Sequence, residues 1–206
     1  MNKLESPKRL GDYLICSPAV MQNAINLQNH SLNIGTNQKR IGDILVGSGS
    51  ITKEELDLAI RKQRADRLQQ CPVFNMISST ESAALSNRFI EVSVEAGKQF
   101  IFQDEPDPTL FIIATGKVEV YRTTLDGEHI HIAFVGPPEP IGEMGYFQGG
   151  IRNASVKAVD TVELLMADYS NLTHYFEYVS RVAHEFMKIV ELRKYATEQI
   201  VQKNTA

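Results

Sequence analysis

Cysteine is nearly absent from this 206-residue chain: Cys16 and Cys71 stand far apart and show no CxxC spacing. That excludes a disulfide framework or a cysteine-based zinc site and fits a reducing compartment. No apolar run approaches the roughly 18 to 20 residues of a membrane span. The opening MNKLESPKRLGDYLI has neither the apolar core nor the small-residue cleavage site of a secretory signal. A cytoplasmic protein without a membrane span is the expectation. Walker A is missing, Ser155 has no His or Asp pattern to make it a nucleophile, and His174 and His184 have no partner motif. An enzyme is therefore not expected. His129 and His131 share a face of a predicted strand, but no carboxylate or cysteine is spaced to complete a metal site. They read as exposed strand histidines, and no metal or cofactor is expected. There is also no Lys/Arg-dense recognition helix, and the formal net charge is -4, so nucleic-acid binding has no support.

What is present is ordinary globular composition, 43% hydrophobic and 22% charged. Residues 1–70 carry ten Lys/Arg against seven Asp/Glu, and the remainder eleven against eighteen. The asymmetry suggests two units, a basic one and an acidic one. Residues 1–67 read as helices. Ser6-Pro7 and Ser17-Pro18 are N-cap and first-turn pairs. Thr52-Lys53-Glu54-Glu55 is a capping box opening a helix to about Arg64, with Gly35 and its Asn neighbours as punctuation. A repeat lies here: RLGDYLI at 9–15 recurs as RIGDILV at 40–46, each followed by a helical pattern ending in Gln28 or Gln63. Two packed helical hairpins account for it, and so does a pseudo-symmetric site using one Arg and one Gln from each copy.

From about residue 88 the pattern changes to β-branched and aromatic runs split by Gly, Pro and Asp, which predicts an antiparallel β-barrel or sandwich. Asp126-Gly127 between alternating runs predicts a hairpin. Residues 168–204 return to helix. Leu172, Tyr175, Val179, Val182, Phe186 and Ile189 form a seam for a partner helix or a lid over the barrel, and Arg193 interrupts it. Dimerisation through this helix is an expectation.

The stretch IGEMGYFQGGIRNASV, 141–156, sets Glu143 and Arg152 nine positions apart among glycines and apolar residues. A cyclic nucleotide presents one phosphate charge, which suits an arginine, and a ribose hydroxyl, which suits a carboxylate. Glycine beside the acid allows close backbone approach. An Arg152–Glu143 salt bridge that pins a loop is the other reading of the same spacing.

Gly142-Glu143-Met144-Gly145 followed by Arg152-Asn153-Ala154-Ser155 resembles the phosphate-binding cassette of the cyclic nucleotide-binding domain family. IFQDEPDPTLFIIATGKVEVYR and LDGEHIHIAFVG resemble the strands that precede it, and CPVFNMISSTESAAL the short helices before the barrel. The resemblance covers about 70–190. It implies an α+β protein: a small all-helical N-terminal domain (1–67), then a jelly-roll-like antiparallel β-barrel with flanking helices (70–206). It further implies cAMP or cGMP as ligand, with Glu143 on the ribose and Arg152 on the phosphate. Gly142, Met144, Gly145, Asn153, Ala154 and Ser155 would frame them. Asp104 in place of a turn glycine, a loop 136–142 about two residues longer than is usual in the family, and Asn153 after the arginine are departures.

RIGDILVGSGSITKEELDLAIRKQ, 40–63, resembles half of the MshEN domain of secretion and pilus ATPases, which binds cyclic di-GMP through two such motifs. The matching residues are Arg9, Leu10, Gly11, Met21, Ile25 and Gln28 in the first copy. In the second they are Arg40, Ile41, Gly42, Leu56, Ile60 and Gln63. About four residues are missing between Leu14 and Met21, where Ser17-Pro18 would restart the helix. The resemblances together imply a non-catalytic bacterial second-messenger receptor acting on an unidentified downstream protein. The alternatives are an adaptor with vestigial sites, or a catabolite-activator-type regulator. For the latter, EQIVQKNTA after the seam is too short for a helix-turn-helix, so no DNA binding of its own is expected.

Overall fold

The computed structural model describes residues 8–33 and 40–205. The Ser6-Pro7 cap and Gly35 lie outside them. Contacts divide the chain into two compact units, Met1–Arg64 and Ala65–Ala206.

The first unit is helical. A 3-10 turn, Leu10–Tyr13, follows Arg9; α1 spans Pro18–Asn33, α2 Ile41–Gly47 and α3 Lys53–Gln70. Ser17 starts α1, its Oγ accepting from the Val20 N–H at 3.3 Å. Thr52 and Glu55 close a reciprocal box at the start of α3, at 2.8 and 3.2 Å. Helix α3 runs six residues beyond the expected Arg64. No Gly or Pro interrupts it before Pro72, and Leu68 is fully buried in the core of the second unit. The two repeat copies differ in form, a four-residue 3-10 turn against a seven-residue α-helix. They share one device. A Cβ on Gly11 would meet Met21 Cε at 3.1 Å, and one on Gly42 would meet Leu56 Cδ1 at 2.7 Å. Each repeat glycine is the point where a turn rests on the following helix.

The second unit opens with α4, Ser79–Ser86, capped reciprocally by Ser78 and Glu81. Eight strands follow: β1 Ile90–Val94, β2 Gln99–Ile101, β3 Thr109–Thr115, β4 Val118–Thr123, β5 His129–Val135, β6 Pro140–Ile141, β7 Ser155–Ala158 and β8 Val162–Asp168. They form two four-stranded sheets, β1-β8-β3-β6 and β2-β7-β4-β5, with every pairing antiparallel. This is the jelly-roll solution to burying sheet faces. Gly127, at φ 83°, makes the β4–β5 turn that Asp126-Gly127 predicts. Strand β3 is apolar without alternation because both its faces are covered. Phe111 and Ile113 join Val118, Val156 and Leu164 between the sheets, whereas Leu110 and Ile112 face helices.

Those helices are α5, Tyr169–Tyr178, and α6, Ser180–Thr205. The single expected helix is broken at Val179, whose backbone is extended (φ -95°, ψ 91°). The apolar seam is core of this same chain: Leu172, Val182 and Phe186 are fully buried with Phe74, Phe89 and Leu165, and Tyr175, Val179 and Ile189 pack against them. Of the two expectations for the seam, a cover for the barrel is what these contacts form. Arg193 does not end the helix, which continues to Thr205. Buried Cys71 belongs to this core, and burial pushes its thiol up to about 12, far from a reactive thiolate.

Candidate functional site

Strand β6 ends at Ile141, and Gly142 turns the chain with φ 84° into a 3-10 turn, Glu143–Gln148. Glycine is required there twice over. The conformation is left-handed, and a Cβ would run into the Arg152 guanidinium and lie 2.9 Å from the Thr109 carbonyl oxygen. Gly145 is also crowded, its Cβ position lying 2.8 Å from Tyr169 Oη.

Arg152 is only 2% exposed. Its Nη2 donates to Thr109 O at 2.7 Å and Thr109 Oγ1 at 2.8 Å, and meets Asp107 Oδ2 at 2.7 Å. Nη1 donates to Gly142 O at 3.0 Å and Tyr169 Oη at 3.1 Å. The Tyr169 hydroxyl itself donates to Gly142 O. Nε is buried without any acceptor, a state that among the buried side-chain polar atoms of the described residues only Arg67 Nε shares. Asp104 shapes the backbone here. It adopts φ 64°, so the turn keeps the left-handed conformation that a glycine would supply. Its N–H donates to Arg152 O at 2.8 Å, and the Arg152 N–H donates to Glu105 O at 3.0 Å.

Glu143, 3% exposed, does not pair with Arg152. Its Oε2 lies 3.1 Å from Nη1 of Arg193 on α6. The same guanidinium reaches Pro140 O at 2.5 Å and Glu139 Oε2 at 2.8 Å. The loop-pinning Arg152–Glu143 bridge is therefore not what these side chains form. Sequence reasoning missed Arg193, which looked like an interruption of a seam. The signal was there: a lone cation at an apolar helical position needs a buried or partly buried acceptor.

Glu143, Arg152 and Arg193 line one cavity of about 780 Å³, its open mouth included. Gly142, Met144, Gly145, Asn153 and Ala154 line it too, among apolar side chains from both sheets and with Ala196, Thr197 and Ile200 of α6. Ser155 is not among them. Its Oγ accepts from Gln99 Nε2 and from the Gln103 N–H, both at 3.1 Å. Asn153 Nδ2 lies 3.8 Å from Met144 Sδ. A mostly apolar pocket with a few convergent charges is the usual form of a small-molecule site.

Burial raises the Tyr169 hydroxyl to about 12, with Glu143 and Asp107 adding to the rise and Arg152 opposing it. The neutral phenol is the form the fold holds. Its stabilisation is complete below the unfolded value near 10 and is lost as pH rises toward 12. Unfolding followed from pH 9 to 12 should show wild type losing about 2 to 3 kcal/mol more than Tyr169→Phe. Parallel curves would show that this hydroxyl is not held neutral.

Other candidates fall elsewhere. His129 and His131 are exposed on β5, and a carboxylate accompanies them from across the sheet. Glu119 of the adjacent strand lies 3.1 Å from both rings, and they hold its carboxyl below the usual range. Cross-strand neighbours of this kind are invisible to linear spacing. No group of three or more His, Cys, Asp or Glu among the described residues is placed to hold a metal ion. In the first unit, Leu10, Met21, Ile41, Leu56 and Ile60 pack into a core around Ala24, Leu45 and Ile51. Gln63 is buried and donates to Lys8 O at 3.2 Å. Ile25 and Gln28 are half buried, and Arg9 and Arg40 are exposed.

Residues 91–178 match the family described as cyclic nucleotide-binding domain. The Cyclic AMP receptor protein of Thermus thermophilus is 30% identical over 122 residues, 59% of this chain and 56% of that protein. The chain thus spans little more than half the length of the curated relatives it matches. A crystal structure of the N-terminal domain of a transcriptional regulator from Streptomyces coelicolor shares 30% identity with a TM-score of 0.52, covering 66% of this chain and 95% of that one. The regulatory subunit of a cAMP-independent protein kinase A from Trypanosoma cruzi, bound to guanosine, shares the fold at 21% identity and a TM-score of 0.62, covering 80% of this chain and 56% of that one. The match to the cyclic nucleotide-binding domain family thus runs over the barrel strands, the Glu143–Arg152 segment and helix α5.

Proposed function

We propose that the cavity binds a cyclic purine mononucleotide, cAMP or cGMP, and that the chain is a non-catalytic second-messenger receptor. The observation that carries this is Arg152: a guanidinium 2% exposed, on the wall of the cavity, with its Nε–H unsatisfied. A buried donor without an acceptor costs about 1–3 kcal/mol, and an anionic oxygen would answer it. Glu143 on the same wall suits the ribose hydroxyl, and the apolar lining suits the purine. Thr197, the buried hydroxyl on α6, offers the base a donor and an acceptor.

Output through the helices is supported by Tyr146 of the 3-10 turn. Its ring packs edge-on to Phe176 and Phe186, with centroids 5.1 and 5.6 Å away, and its hydroxyl donates to Glu177 at 3.0 Å. A ligand that reshapes the turn therefore acts on α5 and α6, by its differential affinity for the two arrangements. Exposed Leu192 and Tyr195 on α6 are the face left for a homodimer, which a solution mass of one chain would rule out. Cyclic di-GMP at the N-terminal unit rests on exposed Arg9 and Arg40 alone, because most of the apolar residues of the motif are engaged in packing. An adaptor that uses neither site is the competing reading.

The test is thermal unfolding with cAMP, cGMP and cyclic di-GMP, singly and paired. A ligand at 100 times its dissociation constant adds about 2.7 kcal/mol. Stabilisation by one mononucleotide supports the receptor and identifies the purine, and a further gain with cyclic di-GMP supports the second site. No shift with any of the three favours the adaptor.

A further inference from the structure

Arg193 is shared between the cassette and the connection from β5 to β6. One of its acceptors, Glu143 Oε2, belongs to the cassette; Glu139 Oε2 belongs to the connection and Pro140 O to the first residue of β6. That connection lies in the stretch 136–142, expected to be about two residues longer than is usual in the family. Its geometry is set locally: the Glu139 N–H donates to Gly136 O at 3.1 Å, and prolines stand on both sides of Glu139, narrowing its backbone freedom. Glu139 is absent from the cavity wall. It therefore holds the helix without touching the space a ligand would fill.

We infer that Glu139 is a positioning residue: it anchors α6 through Arg193 independently of the ligand, so that Glu143 can share its carboxylate with a ribose without releasing the helix. The inference rests on the reading of the cavity proposed above, but its first consequence needs no ligand. With Glu143 as the only carboxylate on Arg193, every strengthening of the Glu143–ribose contact would weaken the hold on α6. With Glu139 and the Pro140 carbonyl also engaged, the helix keeps two of its three contacts. The loop before β6 is what brings this second carboxylate to the helix.

Hydrogen exchange of the full chain, wild type against Glu139→Gln, tests the anchor. Without nucleotide, amides at 189–200 should exchange roughly three- to fivefold faster in the variant, the scale of a partly exposed ion pair. Those of β3 and β8 should be unchanged. Unchanged exchange in α6, or equal acceleration in α6 and the strands, overturns the anchor. If neither cAMP nor cGMP binds either protein, the cavity reading falls while the ligand-free comparison still decides the anchor. If one of them binds both proteins, it should alter α6 exchange more in Glu139→Gln than in wild type, and an equal change in both overturns the proposal.

Discussion

Arg152→Ala is expected to abolish stabilisation by a cyclic mononucleotide and, separately, to weaken the ligand-free fold by about 3–5 kcal/mol. The second effect follows from what the guanidinium holds. Asp107 loses its cation, and the Thr109 and Gly142 carbonyls each lose a donor. The first effect follows from the charge. Truncating one partner of a buried charge pair costs about 2–5 kcal/mol of binding, upwards of thirtyfold in affinity at the low end. Because the two effects coincide in one variant, Arg152→Lys separates them. Lysine keeps the charge but not the fork that meets Thr109, Gly142, Tyr169 and Asp107 together. It should recover part of the binding while remaining destabilised. Urea unfolding without ligand and the thermal shift with cAMP or cGMP check each arm. An undiminished nucleotide shift in folded Arg152→Ala would remove the phosphate role from this residue.

The same residue shows how far the sequence could be read. Acid, arginine and glycines were legible because the cassette is contiguous, so its chemistry and spacing appear together on the line. Its partners were not. Asp107, Thr109 and Tyr169 arrive through the pairing of β3 with β8, and Arg193 arrives through the packing of α6. Neither has a local signature. Ser155 is different, because strand alternation places Val156 inside and so turns Ser155 to the outer face. Ser155 was nonetheless expected beside the ligand, and period 2 in β7 would have sufficed to place it outside the cavity. In the N-terminal unit the repeat was visible, but its apolar members were equally consistent with core and with ligand cover. The contacts Gly11–Met21 and Gly42–Leu56 explain why a glycine and a large apolar residue recur together, whatever the unit binds.

Gly142→Ala is expected to be the most damaging small substitution in the cassette, and Gly127→Ala supplies its control. Both glycines have nearly the same backbone, φ 84° and 83°. Forcing an L-residue into the left-handed region costs roughly 1–2 kcal/mol at either position. Nothing lies within 4 Å of a Cβ on Gly127, so strain is the whole cost there. At Gly142 the new methyl meets the Arg152 guanidinium and sits 2.9 Å from Thr109 O. Neither can retreat cheaply, since Arg152 is held by Asp107 and Thr109 and the Thr109 carbonyl is part of β3. The expected destabilisation is about 3 kcal/mol or more, the strain plus the overpacking. Nucleotide response should fall with it, because Arg152 can make room only by leaving the position that faces the cavity. Urea unfolding of the two variants side by side measures the difference directly. Equal losses at 127 and 142 would mean that the cassette yields to a methyl group, and that Arg152 is less tightly fixed than its five polar contacts imply.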